Sequence, residues 1–299
     1  MSLLSLLLVG GGIFFADHEK ARFEHKAAAD ILAKVVDGKG RFEVKVQPSL
    51  LGGITGEIDS ATISGSGFML DELPLFTEPE RSTSGKIGDL RLRLTDFTLR
   101  RLKVAELQAN IPGCRYDFGL AKGKGQIRLS RSGDGQGFVK LREKDLADYL
   151  MKKFHEIKRC TVKLDGDTVW VEGYGEFIIV NTDFTVIADL GIEDGTKLVL
   201  QNAKVYFDWL RADGPAVDGL LKTLNPVVDL KKDLGLFDAV YVEKIKIQKG
   251  VLTASGRTKI PVRPTDESAV SDRKSTRDDA ACADAFRKQL WGRTEPTTG

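Results

Sequence analysis

The sequence contains few residues of the kinds that build metal sites and disulfide scaffolds. Its 299 residues include three histidines and three cysteines, and no two cysteines have CxxC spacing. Cys114, Cys160 and Cys282 permit one disulfide at most, which excludes a disulfide scaffold and leaves the pairing of Cys114 with Cys160 open. His18 and His25 share a helical face, but zinc sites need closer ligand pairs and two further donors. We therefore predict neither a metal nor a cofactor.

Catalytic motifs are also missing. No Gly-x-Ser-x-Gly elbow occurs, and the nearest string, at 64–67, lies in an alternating stretch typical of a strand. The glycine-rich segment at 119–125 lacks the Gly-Lys-Ser/Thr ending of a phosphate-binding loop and leads into a predicted strand. Acidic residues are scattered, so no pair is nominated for glycosidic chemistry. The sequence predicts a protein that is not an enzyme and has no catalytic residues.

The charges are nearly balanced. The 45 Lys and Arg residues face 43 Asp and Glu residues, for a net charge of +2. Proteins that bind nucleic acid usually show a concentrated basic field, so nucleic acid is not an expected partner. Hydrophobic residues make up 41% of the chain, which is ordinary for a globular protein able to bury a core.

The longest apolar run lies at the N-terminus, over residues 1–16. It has the length of a signal-peptide hydrophobic region and is too short for a comfortable membrane span. Against a signal peptide, no Lys or Arg precedes the run, and Phe14 is a poor residue two places before a cut after Ala16. We predict an extracytoplasmic protein of the periplasm or cell envelope, secreted or anchored by this segment. A buried or interfacial N-terminal segment is the alternative.

A long amphipathic helix is predicted next. Phe23, Ala27, Ile31 and Val35, with apolar neighbours beside them, have helical spacing in a charged background. Gly38 and Gly40 end the pattern. The predicted helix has about twenty residues and a length near 30 Å.

From residue 42 the apolar period changes to two, which indicates strands with one apolar and one wet face. The alternating apolar positions are Phe42, Val44 and Val46, then Leu90, Leu92 and Leu94. Turn residues suited to positive φ separate later strands at Gly133-Asp134-Gly135, Asp165-Gly166, Asp194-Gly195 and Lys249-Gly250. Consecutive hairpins predict an antiparallel sheet.

Two short helices interrupt the strands. Leu146 and Leu150 belong to one, and Leu220 and Leu224, between Pro215 and Pro226, belong to the other. Residues 17–261 are therefore predicted to form a single domain. Residues 262–299 are too polar to fold alone and are predicted to be a disordered tail.

Several segments, in order and texture, resemble the LmeA-like phospholipid-binding family of bacterial envelope proteins. They are the N-terminal run and helix, the Leu-Leu-Gly-Gly-Ile-Thr-Gly-Glu-Ile-Asp stretch beginning at 50, the Leu-Arg-Leu-Arg-Leu strand at 90–94, the predicted helix at 141–150, and the two segments at 164–173 and 221–230. The resemblance covers about 17–260. It implies an α+β protein, an elongated and strongly curved antiparallel β-barrel or roll wrapped on the long N-terminal helix, similar to tubular lipid-binding proteins.

The function that follows from the resemblance is non-catalytic binding or transfer of a phospholipid-like lipid through an apolar lumen. The concave face of a strongly curved sheet is larger than the area that one long helix and two short helices can cover. The remaining lumen would be dry and apolar, which suits acyl chains. The candidate wall residues are Ile31, Val35, Leu146, Leu150, Leu220 and Leu224. A filled core is the alternative interpretation of each.

Basic residues suggest contact with a membrane surface. Arg91, Arg93, Arg100, Arg101 and Lys103 are candidates for binding lipid headgroups. A solvated outer face is the alternative. The alternative function is a structural or assembly module that binds another protein through a sheet edge or through residues 262–299, where Phe286, Leu290 and Trp291 form an apolar patch.

Overall fold

The computed structural model describes residues 21, 24–25, 27–29, 31–32, 39–49, 55–72, 74–124, 127–176 and 181–262. The described residues as far as Pro261 lie in one compact unit. The predicted N-terminal segment at 1–16 lies outside the described residues, as does the predicted tail after Val262. The predicted domain boundaries stay predictions.

Strands dominate the described part of the chain, which has fifteen of them. They are β1 (Arg41–Pro48), β2 (Glu57–Ser66), β3 (Met69–Leu70), β4 (Gly85–Leu99), β5 (Leu102–Tyr116), β6 (Leu129–Arg131), β7 (Gly135–Arg142), β8 (Ile157–Asp165), β9 (Thr168–Glu176), β10 (Asn181–Glu193), β11 (Lys197–Phe207), β12 (Leu210–Ala212), β13 (Val228–Asp229), β14 (Val240–Gln248) and β15 (Val251–Thr258). The helices with defined bounds are α1 (Phe118–Lys124), α2 (Glu143–Lys153) and α3 (Pro215–Leu224). The predicted α+β class is confirmed.

The strands form two sheets. The nine-stranded sheet has the order β1-β2-β4-β5-β7-β15-β14, with β3 beside β4 and β6 beside β5. The six-stranded sheet has the order β12-β11-β10-β9-β8, with β13 beside β11. Phe42 on β1 and Val242 on β14 stand at opposite edges of the larger sheet, yet both line one cavity. This sheet is therefore curled, into half a barrel.

The prediction of a wholly antiparallel sheet is wrong at β4, which has two parallel pairings. β2 and β4 are parallel, with Ile63 opposite Leu92, and β3 is also parallel to β4. Parallel neighbours need a long crossover, and residues 67–84 provide it. No hairpin signal precedes β4, and a crossover of this kind leaves no local mark in the sequence.

Three of the four predicted hairpins are present, at Asp165-Gly166, Asp194-Gly195 and Lys249-Gly250. The prediction at Gly133-Asp134-Gly135 is wrong, because β6 and β7 do not pair with each other. Both pair with β5, so the chain continues along one edge of β5 instead of reversing. Glycine is needed there because a Cβ at Gly133 would lie 1.8 Å from the Pro112 carbonyl oxygen.

The two predicted short helices are confirmed as α2 and α3, with boundaries that follow local chemistry. In α2, Glu143 and Asp145 occupy the first turn and Lys152 and Lys153 the last, which complements the helix dipole. In α3, Pro215 stands at the start, where its missing N–H costs nothing. The helix α1 was not predicted, because two glycines interrupt its seven residues.

The predicted long N-terminal helix is not shown as one element. The described residues between 21 and 32 are helical, and the residues between them lie outside the description. Ala27 and Ile31 are buried against Val44 and Val46 of β1. Among the described residues, no helix has both the length and the apolar composition that crossing a bilayer requires.

The main core lies between the inner faces of the two sheets and includes the apolar sides of α2 and α3. Leu146, Tyr149 and Leu150 of α2 are buried in it. Each large apolar side chain buried in this way stabilises the fold by roughly 1.5–3 kcal/mol.

Candidate functional site: an apolar cavity under the curled sheet

A cavity of about 210 Å³ lies against the concave face of the nine-stranded sheet. Successive strands contribute apolar side chains to it in register. Leu94, Leu107, Val139 and Ala254 are partners in turn across β4, β5, β7 and β15. All four line the cavity. The wall is thus built from side chains on the same face of adjacent strands.

The next row of the wall explains why the space is hollow. Leu92, Ala109, Gly137 and Gly256 follow each other across the same four strands, and all line the cavity. Three of the four have a methyl group or no side chain, so they leave volume that larger residues would fill. At Gly256 the backbone also requires glycine, since a Cβ would lie 2.1 Å from the Tyr241 carbonyl oxygen.

The wall bends at Asp96 without losing its apolar face. Before this residue the even-numbered Leu92 and Leu94 line the cavity, and after it the odd-numbered Phe97 and Leu99 do. The inward-facing positions therefore shift by one residue at Asp96. Asp96 has a φ of 46°. The register against β5 is the same on both sides of it, so the change of parity comes from this local twist.

The opposite side of the cavity is formed by the segment 228–240 and by Leu198 of β11. Leu230, Leu234 and Leu236 project from this segment into the lining, and Ile31 and Phe42 contribute from the N-terminal side. Several wall residues, including Leu94 and Leu107, are only half-buried although they face the interior. Their remaining accessible surface faces the cavity.

Polar groups hold the segment 228–240 in place. The Asp233 carboxylate oxygen Oδ2 accepts bonds from Tyr149 Oη at 2.8 Å and Lys153 Nζ at 2.6 Å. Lys153 Nζ also donates to the Pro226 carbonyl oxygen at 2.7 Å. Burial, followed by the neighbouring Asp233 carboxylate, raises the pKa of Tyr149, which keeps its hydroxyl protonated as a donor. This cluster fastens α2 to the segment that covers the cavity.

The predicted wall residues fall into different places. Ile31 lines the large cavity. Leu146, Leu150 and Leu224 instead line a second cavity of about 30 Å³, room for roughly two water-sized groups. Leu220 is buried in the main core. Val35 lies outside the described residues. Leu198 and Val228 line both cavities and stand between them.

The predicted basic stripe is not brought together. Arg91 and Arg93 alternate with the cavity-lining leucines of β4, so they lie on the opposite face of the sheet. Arg91 pairs with Asp89 at 3.1 Å. From Arg91 to Arg100 the strand runs for about 30 Å, which separates these two from the remaining three.

The other three basic residues lie near the β4–β5 turn and contact the protein itself. Arg100 donates through Nη1 to the carbonyl oxygens of Lys232 at 3.0 Å and Asp233 at 3.3 Å. Arg101 Nη1 donates to the Lys152 carbonyl oxygen at 3.3 Å. Lys103 Nζ lies 3.9 Å from Asp145 Oδ1. Arg100 therefore helps to position the segment 228–240.

The lining has charged residues only near the C-terminal end of β15, as far as the described residues show. Arg257 and Lys259 lie there and are exposed; both alternate with the inward-facing Ala254 and Gly256, so their side chains lie on the outer face beside this end of the cavity. Arg257 Nε donates to Glu243 Oε1 at 2.7 Å. Its guanidinium lies over the Tyr241 ring, 4.6 Å from the centroid. These two cations were not predicted as part of a site.

The cysteines that the structure describes, Cys114 and Cys160, are free thiols, which answers the question of their pairing. Burial raises the pKa of both, and together with Asp148 it raises the pKa of Cys160 to about 12. Within the described ranges, no group of three or more His, Cys, Asp or Glu side chains has the geometry to hold a metal ion.

Sequence analysis missed most of the large cavity, because the deciding residues are small. Ala109, Gly137 and Ala254 carry no hydrophobic signal of their own. The available signal was the placement of Gly and Ala at inward positions of alternating strands, as in Gly135-Gln136-Gly137. That pattern resembles ordinary turn chemistry until the strand pairing is known.

No protein-family model matches this chain, no curated protein matches it, and no solved structure matches it. The resemblance to the LmeA-like family therefore stays a prediction. The function has to be argued from the cavity and from the surface of the protein.

Proposed function

We propose that this protein binds or carries a phospholipid-like lipid without covalent chemistry, by burying part of an acyl chain under its curled sheet. The observation that supports this proposal is the apolar cavity of about 210 Å³. Apolar cavities of this kind stay dry and favour apolar ligands. The residual accessible surface of inward-facing leucines gives such a ligand its contacts.

The size of the cavity fits part of one acyl chain. An apolar cavity of about 150 Å³ holds benzene, with six carbons, so 210 Å³ has room for roughly eight carbon atoms. Burying a methylene contributes about 0.8 kcal/mol, so eight buried methylenes contribute about 6 kcal/mol. Loss of translational and rotational freedom on binding costs about 4–15 kcal/mol. Contacts of the headgroup and of the rest of the lipid supply the remaining affinity.

The polar headgroup would stay at the end of the cavity near Arg257 and Lys259. Their side chains are exposed on the outer face beside this end, so a headgroup that emerges there would meet them, and cationic side chains recognise phosphate through charge-assisted hydrogen bonds. Arg257 is partly engaged by Glu243, so Lys259 is the freer of the two to meet a phosphate. The proposed place of action is the bacterial cell envelope, in keeping with the predicted export segment.

The test is direct analysis of bound lipid. The full chain is purified without detergent, extracted with organic solvent, and the extract is analysed by mass spectrometry. The proposal expects a lipid in a near-stoichiometric amount, and chain deletion of residues 262–299 should not change it. An extract without lipid from correctly folded protein would refute the proposal.

The alternative, a module that binds another protein through a sheet edge, meets physical obstacles at both edges of the larger sheet. On β1, the Val46 N–H donates to Glu24 Oε1 at 2.7 Å. On β14, Lys244 and Lys246 are exposed, and edge lysines discourage the addition of a strand. Loss of a protein partner on deletion of 262–299, with no lipid found, would favour this alternative.

A further inference from the structure

We propose that the turn between β11 and β12 inserts into the surface of a lipid bilayer, with Trp209 and Leu210 as the inserting side chains. Trp209 is 83% exposed and Leu210 is 75% exposed, more than any other large hydrophobic side chain among the described residues. They are adjacent and stand at the tip of a hairpin. Side chains so apolar and so exposed gain stability only when something covers them.

The backbone at the tip shows that folding alone does not favour this tryptophan. Phe207 pairs with Leu210, which leaves Asp208 and Trp209 as a two-residue turn. Both have positive φ, 46° and 68°, the pattern of a type I′ turn, which favours Asn or Asp followed by Gly. A bulky residue in this conformation is an outlier that points to function.

The tip is held firmly. The Asp208 N–H donates to the Asp183 carbonyl oxygen at 3.0 Å, and the Asp183 N–H donates to Asp208 Oδ1 at 3.3 Å. Asp183 is in turn paired with Arg159 at 2.7 Å. The turn is therefore tied to β10, and Trp209 is presented on a rigid support instead of folding back on the protein.

The area decides between a bilayer and a protein partner. Two side chains of this size offer on the order of 300 Å², whereas a stable protein interface buries about 800 Å² on each partner. Tryptophan prefers the boundary between headgroups and acyl chains, and two inserted side chains suit brief, reversible contact. A lipid carrier needs contact of that kind, so this inference rests on the proposed function.

Charges around the tip are balanced, which makes the proposed contact different from binding through a basic surface. In sequence, Asp208 and Asp213 near the tip are matched by Lys204 and Arg211, and Arg211 lies 3.7 Å from Asp213. Binding should therefore take place on uncharged phosphatidylcholine vesicles. It should also survive about 1 M NaCl, where the Debye length is about 3 Å.

The experiment measures co-sedimentation of the full chain with phosphatidylcholine vesicles. The variant carrying Trp209→Ser and Leu210→Ser should bind about tenfold more weakly or worse, since each side chain loses its burial. Met69→Ser is the matched control, because Met69 is 58% exposed on the other sheet, and it should bind as the wild type does. Equal binding by wild type and double variant would overturn the inference.

A second measurement follows the fluorescence of Trp209 alone. The chain has three tryptophans, so a variant with Trp170→Phe and Trp291→Phe reports only Trp209. Brominated phosphatidylcholine should quench its fluorescence, and an unquenched signal would contradict insertion. A different result is that the wild type fails to bind vesicles and forms a dimer that Trp209→Ser abolishes. That result would overturn bilayer insertion and show that the tip contacts a second copy of the chain.

Lipid recovery, measured on the same preparations, separates this inference from the proposed function. Unchanged bound lipid with lost vesicle binding in the double variant supports both. If vesicle binding depends on Trp209 and Leu210 but the purified protein yields no lipid, insertion of the tip is supported and lipid binding in the cavity is refuted.

Discussion

Replacing Ala109 by phenylalanine tests whether the space under the curled sheet is hollow in solution. Ala109 lies on β5 between Leu92 and Gly137 and lines the cavity. The substitution adds six ring carbons that project into the space. Ala188→Phe is the matched control, because Ala188 is 2% exposed in the main core and lines neither cavity.

The two substitutions should differ in stability. Ala188→Phe overpacks a filled core, which costs about 1–3 kcal/mol. Ala109→Phe enters empty apolar space, where burial of the ring offsets local strain, and its free energy of unfolding should stay within about 1 kcal/mol of the wild type. Urea unfolding followed by circular dichroism measures both values.

The lipid content should change in the opposite sense. Six ring carbons occupy roughly six of the eight carbon positions estimated for an acyl chain, and at about 0.8 kcal/mol each the chain loses about 5 kcal/mol. That loss corresponds to more than a thousandfold in affinity. Organic extracts of folded Ala109→Phe protein should therefore lack lipid, while folded Ala188→Phe protein keeps it. The reasoning is refuted if Ala109→Phe is destabilised as much as the control, or if it retains lipid.

Three further predictions follow from other parts of the structure. Tyr149→Phe should lower the free energy of unfolding by about 1.5–3 kcal/mol in urea titrations, because a hydrogen bond to the partly buried Asp233 carboxylate is lost; an unchanged midpoint would contradict this role. Trp209→Gly should raise the free energy of unfolding by about 1 kcal/mol, because glycine adopts positive φ without strain, and it should weaken vesicle binding. In the Cys282→Ser variant at pH 8, Cys114 and Cys160 should resist thiol reagents until the protein unfolds. With the pKa of Cys160 near 12, only about one thiol in ten thousand is ionised; fast reaction of the native protein would show that the thiols are accessible.

Much of the secondary structure was predictable, because its signals are local. The period of two over 42–46 gave a strand with Val44 and Val46 buried, and turn residues with positive φ placed three hairpins. The helices α2 and α3 were predicted from the spacing of their apolar residues, and α3 also from the prolines at its two ends. The false hairpin at 133–135 shows the limit, since the same glycines serve a close backbone approach to β5.

The candidate site was much less predictable. The predicted wall residues came from helical stripes, and stripes report burial without saying what fills the space beside them. Leu146 and Leu150 are buried as expected but line only the small cavity. The basic residues were grouped by sequence distance, and the structure puts Arg93 on the outer face and Arg100 against backbone carbonyls.

The sequence by itself determined the strands, the two short helices and the faces that become buried, because these depend on residues a few positions apart. The tertiary structure alone decided the parallel pairing of β2 with β4, the curl of the sheet, and the alignment of Ala109 with Gly137. A cavity exists only where small residues from distant segments meet on one concave face. No local pattern encodes that meeting, because it is fixed by strand register across the whole sheet.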